Sequence, residues 1–293
     1  MPKIRLSVRA RQNIWGFVFA LPAVLLFGVF AGYPILRTFY LSVFRYDLVG
    51  TPEFRGLANF RFILTDRDFL QTLWNTGFYA VGTYGPVVVL ALLIALALNT
   101  RVPFRNVFRV VNFVPVVISW AIVAIIWKIL FHQEGLINQG LGAFGIDPIT
   151  WLQDTAAAPW AVIVPSIWKE LGFYMVIFLA GLQTIPTVYY EASRIDGASR
   201  LQQFRFVTLP LLRPIIFFST IIAVINGIKV FIPQFVMTGG GPNGATRVIA
   251  VDIYQTAFAF GRMGRAAAMS VILFAIVLLL TLLQRVAYGR DQA

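Results

Sequence analysis

The sequence predicts an all-α integral membrane protein of about six transmembrane helices. Three observations predict it. Hydrophobic residues make up 59% of the chain, with a mean hydropathy of +0.79, whereas a soluble domain is near half apolar. The apolar residues gather in runs with few charges, each near the length of about 20 residues that a bilayer-spanning helix needs. The charged residues collect between those runs. None of the runs shows the alternation of a barrel strand.

The same numbers exclude other classes. A net charge of +12 would point to nucleic acid in a soluble protein, but here the charges sit in short connections and topology accounts for them. No nucleic-acid partner is expected. The chain has no cysteine, which removes disulfides, thiolate catalysis and Cys-ligated metal. His132 is the one histidine, so a His-rich metal site within one chain is excluded. No catalytic residue, metal or cofactor is expected.

In chain order, residues 1–13 form a basic segment carrying Lys3, Arg5, Arg9 and Arg11. The uncharged run from Gln12 to Leu36 is too long for the core of a signal peptide, so it reads as an uncleaved first span over about 14–36. A mixed connection over 37–68 follows, with Arg37, Arg45, Asp47, Glu53 and Arg55 among its charges. The second span, about 70–99, contains Gly77, Gly82, Gly85 and Pro86, which suit close helix contact and bending. Arg101, Arg105 and Arg109 form a basic turn before a third span over about 108–131, which ends near Lys128 and His132, an interfacial residue by position. The connection 133–158 has Glu134, Asp147 and Asp154 but no Lys or Arg. The fourth span, about 159–183, is interrupted by Pro165, Lys169 and Glu170. A polar loop occupies 186–213. The fifth span, about 215–237, holds Asn226, Lys229 and Gln234. A glycine-rich turn, Thr238 to Thr246, leads to the sixth span, about 266–285. One transmembrane domain over 14–287 is expected, with no separate soluble domain.

An even number of spans returns both termini to one side. With both termini cytoplasmic, the inside segments hold Lys3, Arg5, Arg9, Arg11, Arg101, Arg105, Arg109, Arg194, Arg200, Arg205, Arg213, Arg285 and Arg290. The outside segments hold fewer: Arg37, Arg45, Arg55, Arg61, Arg67, Arg247, Arg262 and Arg265. The bias matches the positive-inside rule and places 186–213 in the cytoplasm.

That loop is the longest polar island within the apolar sequence. Val188, Ala192 and Ile195 fall on one face of a helix, and Glu191 and Arg194 are neighbours on another. Gly197 permits a left-handed helix end, and Asp196 is placed to cap the next helix. Leu201 and Phe204 give that second helix an apolar edge, and Pro210 and Pro214 are expected to stop it. Two short helices about a glycine, with an apolar face, suit docking in a groove of another protein.

The ordered set Glu191-Ala192-Ser193, Asp196-Gly197-Ala198, Phe204 and Leu209-Pro210 resembles the EAA coupling loop of type I ABC importer permeases. That family usually has Ala at the position of Ser193. The resemblance implies that the segment docks into a cleft of a cytoplasmic ATPase and transmits its motion. Other segments are similar to the carbohydrate-uptake permeases: Phe54 to Phe60 before the second span, Gly135 to Asn138 with Trp151-Leu152, Trp168 to Phe173, Leu179 to Gln183, and Thr238 to Pro242 with Tyr254 to Phe258. The likeness covers nearly the whole chain and is to the first permease of a heterodimeric pair, of the maltose and glycerol-phosphate type. It implies a second homologous permease subunit, two ATP-binding subunits, an extracytoplasmic solute-binding protein and a bacterial or archaeal inner membrane. The solute it implies is a sugar or a sugar-like compound, a glycerol-phosphate compound being the alternative.

The chain itself has no G-x-x-x-x-G-K-[ST] loop, so ATP must be handled by partners. A pore for a polar solute needs polar and aromatic walls. Asn226, Lys229 and Gln234 fall near one face of the fifth span. A lysine there either faces a wet cavity or pairs with an acid of another helix. Trp120 and Trp127, seven residues apart, share a face, with a lipid-anchor role open for Trp127. Glu170 completes the candidate path. Adjacent Lys169 and Glu170 do not face each other, and one of them at least is read as structural. A secondary transporter driven by an ion gradient is the alternative, but Glu170 is the only acid in place for it. An intramembrane enzyme would need a nucleophile and base or a metal set that is not evident.

Overall fold

The computed structural model describes residues 8–100 and 103–290, without the side chains of residues 8, 10, 11, 13, 14 and 290. Lys3, Arg5 and Arg101, and the side chains of Arg11 and Arg290, lie outside the described residues. The elements are α1 (Val8–Phe27), α2 (Tyr33–Ser42), β1 (Phe44–Arg45), β2 (Glu53–Phe54), α3 (Ala58–Thr65), α4 (Arg67–Asn99), α5 (Arg105–Val117), α6 (Trp120–Leu130), α7 (Leu136–Gly142), α8 (Ala157–Gln183), α9 (Thr187–Ile195), α10 (Arg200–Gln203), α11 (Leu209–Ile228), α12 (Ile232–Met237), α13 (Ile249–Tyr254) and α14 (Met263–Arg290). Among the described residues, five helical stretches are long and apolar enough to cross a membrane, or six if the bent pair α5–α6 is one span.

The chain divides into two compact units. One comprises Met1–Ile63 and Thr256–Ile272. In it a wide turn over Gly28–Gly32 joins α1 to α2, so the helix continues beyond the boundary expected at Leu36. Polar residues do not end it, because they find partners along it. Thr38 Oγ1 donates to the Pro34 carbonyl at 2.8 Å, and the Arg37 guanidinium lies 4.9 Å from the Tyr40 ring centre. Phe17, Phe19 and Phe30 are each about three-quarters exposed, which suits a helix bathed in hydrocarbon. Beyond α2, β1 and β2 pair antiparallel with Phe44 opposite Phe54. Asn59 fixes this hairpin by donating to the carbonyls of Ser42 at 2.8 Å and Phe44 at 2.9 Å.

The other unit comprises Leu64–Gln255 and Leu273–Ala293. Its core is the contact of α4 with α8. Thr83, Val87, Ala91 and Ala95 recur at about one-turn spacing along α4 and are buried, opposite Ala161, Val162, Ser166 and Met175 on α8. Small and β-branched residues let membrane helices approach closely. Gly172 is the extreme case: a Cβ there would lie 2.0 Å from the Asn112 carbonyl oxygen of α5.

Several expectations change. The third span, expected as one helix over 108–131, is two helices bent by 98°. Pro115 lies in the last turn of α5, Ile118 and Ser119 are extended, and Ser119 restarts the helix by accepting the Ile122 N–H at 3.4 Å. The fifth span, expected over 215–237, ends as a helix at Ile228 and resumes only at Ile232. Pro210 and Pro214 do not stop the helix that precedes it. A wide turn over Phe204–Thr208, with the Leu209 N–H donating to the Phe204 carbonyl, joins α10 to α11. Pro210 then falls in the first turn of α11 and Pro214 inside it. A proline forfeits its own N–H bond, and the remaining ladder carries the helix on.

Two asparagines secure the long connections. Asn138, 3% exposed, donates to the carbonyls of His132, Gln133 and Ile149. Its oxygen accepts the Ile149 N–H at 3.1 Å and the Trp151 indole N–H at 3.0 Å. This is why Asn138 and Trp151 belong together in the sequence. Asn75 on α4 donates to the carbonyls of Gly244 at 2.7 Å and Arg247 at 3.0 Å, which anchors the glycine-rich turn.

Candidate functional site

The polar loop is built from local rules. α9 ends in a Schellman motif: the Gly197 N–H donates to the Arg194 carbonyl at 3.1 Å and the Ala198 N–H to the Ser193 carbonyl at 2.9 Å. Gly197 has φ +76°, the left-handed conformation that glycine adopts freely. Ser193 is bonded through its Oγ to the Tyr190 carbonyl at 2.9 Å. Asp196 closes α9 and does not cap α10, which corrects the expectation. The cap is Ser199, in a reciprocal box with Gln202: the Ser199 N–H donates to Gln202 Oε1 at 2.7 Å and the Gln202 N–H to Ser199 Oγ at 3.4 Å. The pattern Ser-x-x-Gln at 199–202 is a capping-box signal in the sequence, and Asp196 is a cap residue of equal quality by type alone. Tyr190 Oη and Thr208 Oγ1 are 3.0 Å apart and tie α9 to the turn after α10. Gln203 Nε2 donates to the Ala198 carbonyl at 3.1 Å.

The chain thus fixes the angle between the two helices but leaves their outer faces uncovered. No residue of α9 is buried. Val188 is 59%, Ile195 87% and Leu201 75% exposed. Glu191, Ala192, Asp196, Gly197 and Pro210 are exposed as well, while Ser193, Ala198 and Phe204 are half-buried.

The candidate path residues are not all brought together. Asn226 and Lys229 are exposed, Asn226 on the last turn of α11 and Lys229 at its C-cap. Gln234 is 1% exposed and belongs to α12. One face for the three requires an unbroken helix, and the break at Lys229 to Phe231 cancels that register. Gln234 instead clusters with Tyr79, Thr83 and Ser166 in the polar core between α4, α8 and α12.

Trp120 and Trp127 both address α8. Trp127 packs on Trp168 and Phe131, at ring-centre distances of 5.8 Å and 5.5 Å. Trp120 opens α6, with the Lys169 Nζ 5.2 Å from its ring centre and the half-buried Glu170 near it. Lys169 is 5% exposed, and its Nζ donates to the carbonyls of Pro115 at 3.0 Å, Val116 at 3.2 Å and Ile118 at 2.7 Å. His132 is exposed beyond the end of α6. Among the described residues no cluster of His, Asp or Glu has metal-ligand placement.

Residues 87–290 match the family model described as binding-protein-dependent transport system inner membrane component. The probable ABC transporter permease protein YesP of Bacillus subtilis is 36% identical, over 94% of this chain and 91% of its own. The trehalose/maltose transport system permease protein MalF of Thermococcus litoralis is 33% identical, over 94% of both chains. A chain in the crystal structure of a bacterial ABC transporter that imports the acidic polysaccharide alginate superposes with a TM-score of 0.85, at 22% identity, covering 96% of each chain. At that identity the superposition speaks for the fold. The matched region takes in α4 from Val87 onward, the broken third span and the whole helix–glycine–helix loop, and the relatives align almost end to end. This chain therefore belongs to the inner-membrane components of binding-protein-dependent transport systems, the permease subunits of ABC importers.

Proposed function

We propose that this permease passes a sugar or sugar-like solute, delivered by an extracytoplasmic binding protein, and that separate ATPase subunits drive it by docking on residues 186–213. A second homologous permease completes the pore, two ATP-binding subunits complete the transporter, and both termini are cytoplasmic. The observation that carries the docking is the uncovered apolar face of a loop with a fixed internal angle. Val188, Ile195 and Leu201 would cost little buried in a partner's cleft and are poorly placed in water. The sugar is supported by the likeness to the trehalose/maltose permease of Thermococcus litoralis, by the exposed amide of Asn226 next to Tyr174, and by Trp120 with Glu170 near it. ATP hydrolysis resides in the partners, since the chain carries no phosphate-cradling loop.

The docking is tested by purifying tagged transporter from native membranes in mild detergent. Wild type is expected to bring a P-loop ATPase with it. Glu191→Lys is expected to reach the membrane at the normal level, lose the ATPase and lose uptake of the binding protein's sugar. Retention of the ATPase by Glu191→Lys would refute the assigned dock, and loss of the permease itself would show a loop needed only for folding.

A further inference from the structure

The break in the third span leaves backbone carbonyls without helical partners within a span, where no bulk water can satisfy them. Three of them, from Pro115, Val116 and Ile118, converge on one atom, Lys169 Nζ. A lysine ammonium has three N–H donors and no acceptor, so the three carbonyls use it completely. The end of α5 also presents the negative end of its dipole to that charge. Arginine would not substitute, because its planar fork cannot turn three donors toward one convergent set. The close approach of α8 to α5 brings the side chain within reach, and only glycine at 172 permits it.

Interrupted membrane helices in ion-coupled transporters offer such carbonyls to a mobile sodium ion. Here the cation is covalently attached to the neighbouring helix. Beyond the carbonyls it faces the ring of Trp120 at 5.2 Å, and the next residue, Glu170, addresses the same side chain. Consecutive residues of α8 thus both address Trp120, Lys169 from over its π face.

We propose that Lys169 is a built-in cation that locks the α5–α6 break and so positions Trp120 in the solute path. This rests on the reading that Trp120 lines that path. Lys169 is a positioning residue and does not touch the solute.

The test uses the complete transporter in membrane vesicles. Lys169→Met and Lys169→Arg are compared with Trp120→Leu for membrane level, uptake KM and Vmax. A thiol placed by Ser119→Cys in this cysteine-free chain reports the geometry of the break through its labelling rate. Lys169→Met is expected at the normal level, with KM raised about tenfold or more, a smaller change in Vmax and an altered labelling rate at position 119. An unchanged KM in Lys169→Met overturns the positioning role. If Lys169→Met does not accumulate, Lys169→Arg decides: a raised KM supports the proposal, and an unchanged KM or failure to accumulate reduces Lys169 to a folding requirement and overturns it. If Trp120→Leu leaves KM unchanged while Lys169→Met alters labelling, the lock stands and the path reading of Trp120 has failed.

Discussion

Gly197 is required for its backbone and not for its space. Its φ is +76°, and an added Cβ would meet nothing within 4 Å. Substitutions should therefore rank by tolerance of the left-handed region: Asn mild, Ala and Val worse, by about 1 kcal/mol or more. Gly197→Pro cannot reach that φ at all. It is expected to leave membrane level intact and abolish uptake, and normal uptake in Gly197→Pro would contradict the coupling role. The candidate path residues separate in the same way. Cysteine at Asn226 or Lys229 should react with polar thiol reagents, and cysteine at Gln234 should not, because that side chain is 1% exposed. Labelling of Gln234→Cys alone would reverse this assignment. The residue types were legible in the sequence at all three positions. Their register follows from Pro233, which cannot donate to the Lys229 carbonyl four residues earlier and so breaks the helix there; an apolar run read as one span passes over that break.

The elements show where local signals suffice and where they mislead. The end of α9, the glycine after it and the Ser-x-x-Gln start of α10 all follow from short-range hydrogen bonding. Pro210 and Pro214 looked like stops, yet a wide turn at Phe204–Thr208 carries the helix through. The third span reads as one apolar run, and hydropathy is blind to its 98° bend, since a bent pair and a straight helix have the same composition. What permits the bend lies elsewhere, in Lys169 and in the bare backbone at Gly172. Gly172→Leu should force α8 from α5, at a cost of about 1–3 kcal/mol. The expected outcome is a lower melting temperature in detergent, together with altered labelling at Ser119→Cys. An unshifted melting temperature would mean that the two helices do not meet there.

For the whole molecule, the purified permease without partners is expected neither to bind nor to hydrolyse ATP, measured by nucleotide binding and phosphate release. Tight, specific binding would overturn the division of labour. Membrane class, the approximate spans and the helix–glycine–helix loop were determined by the sequence, because each rests on composition or spacing that a bilayer or a helix reads directly. Hydrocarbon demands long apolar helices, and a left-handed helix end demands a glycine. Tertiary structure alone decided the break of the third span, the burial of Gln234 and the three-carbonyl seat of Lys169. Those depend on residues more than fifty positions apart in sequence for Lys169 and Pro115, and no local pattern encodes which backbone group a distant side chain will meet.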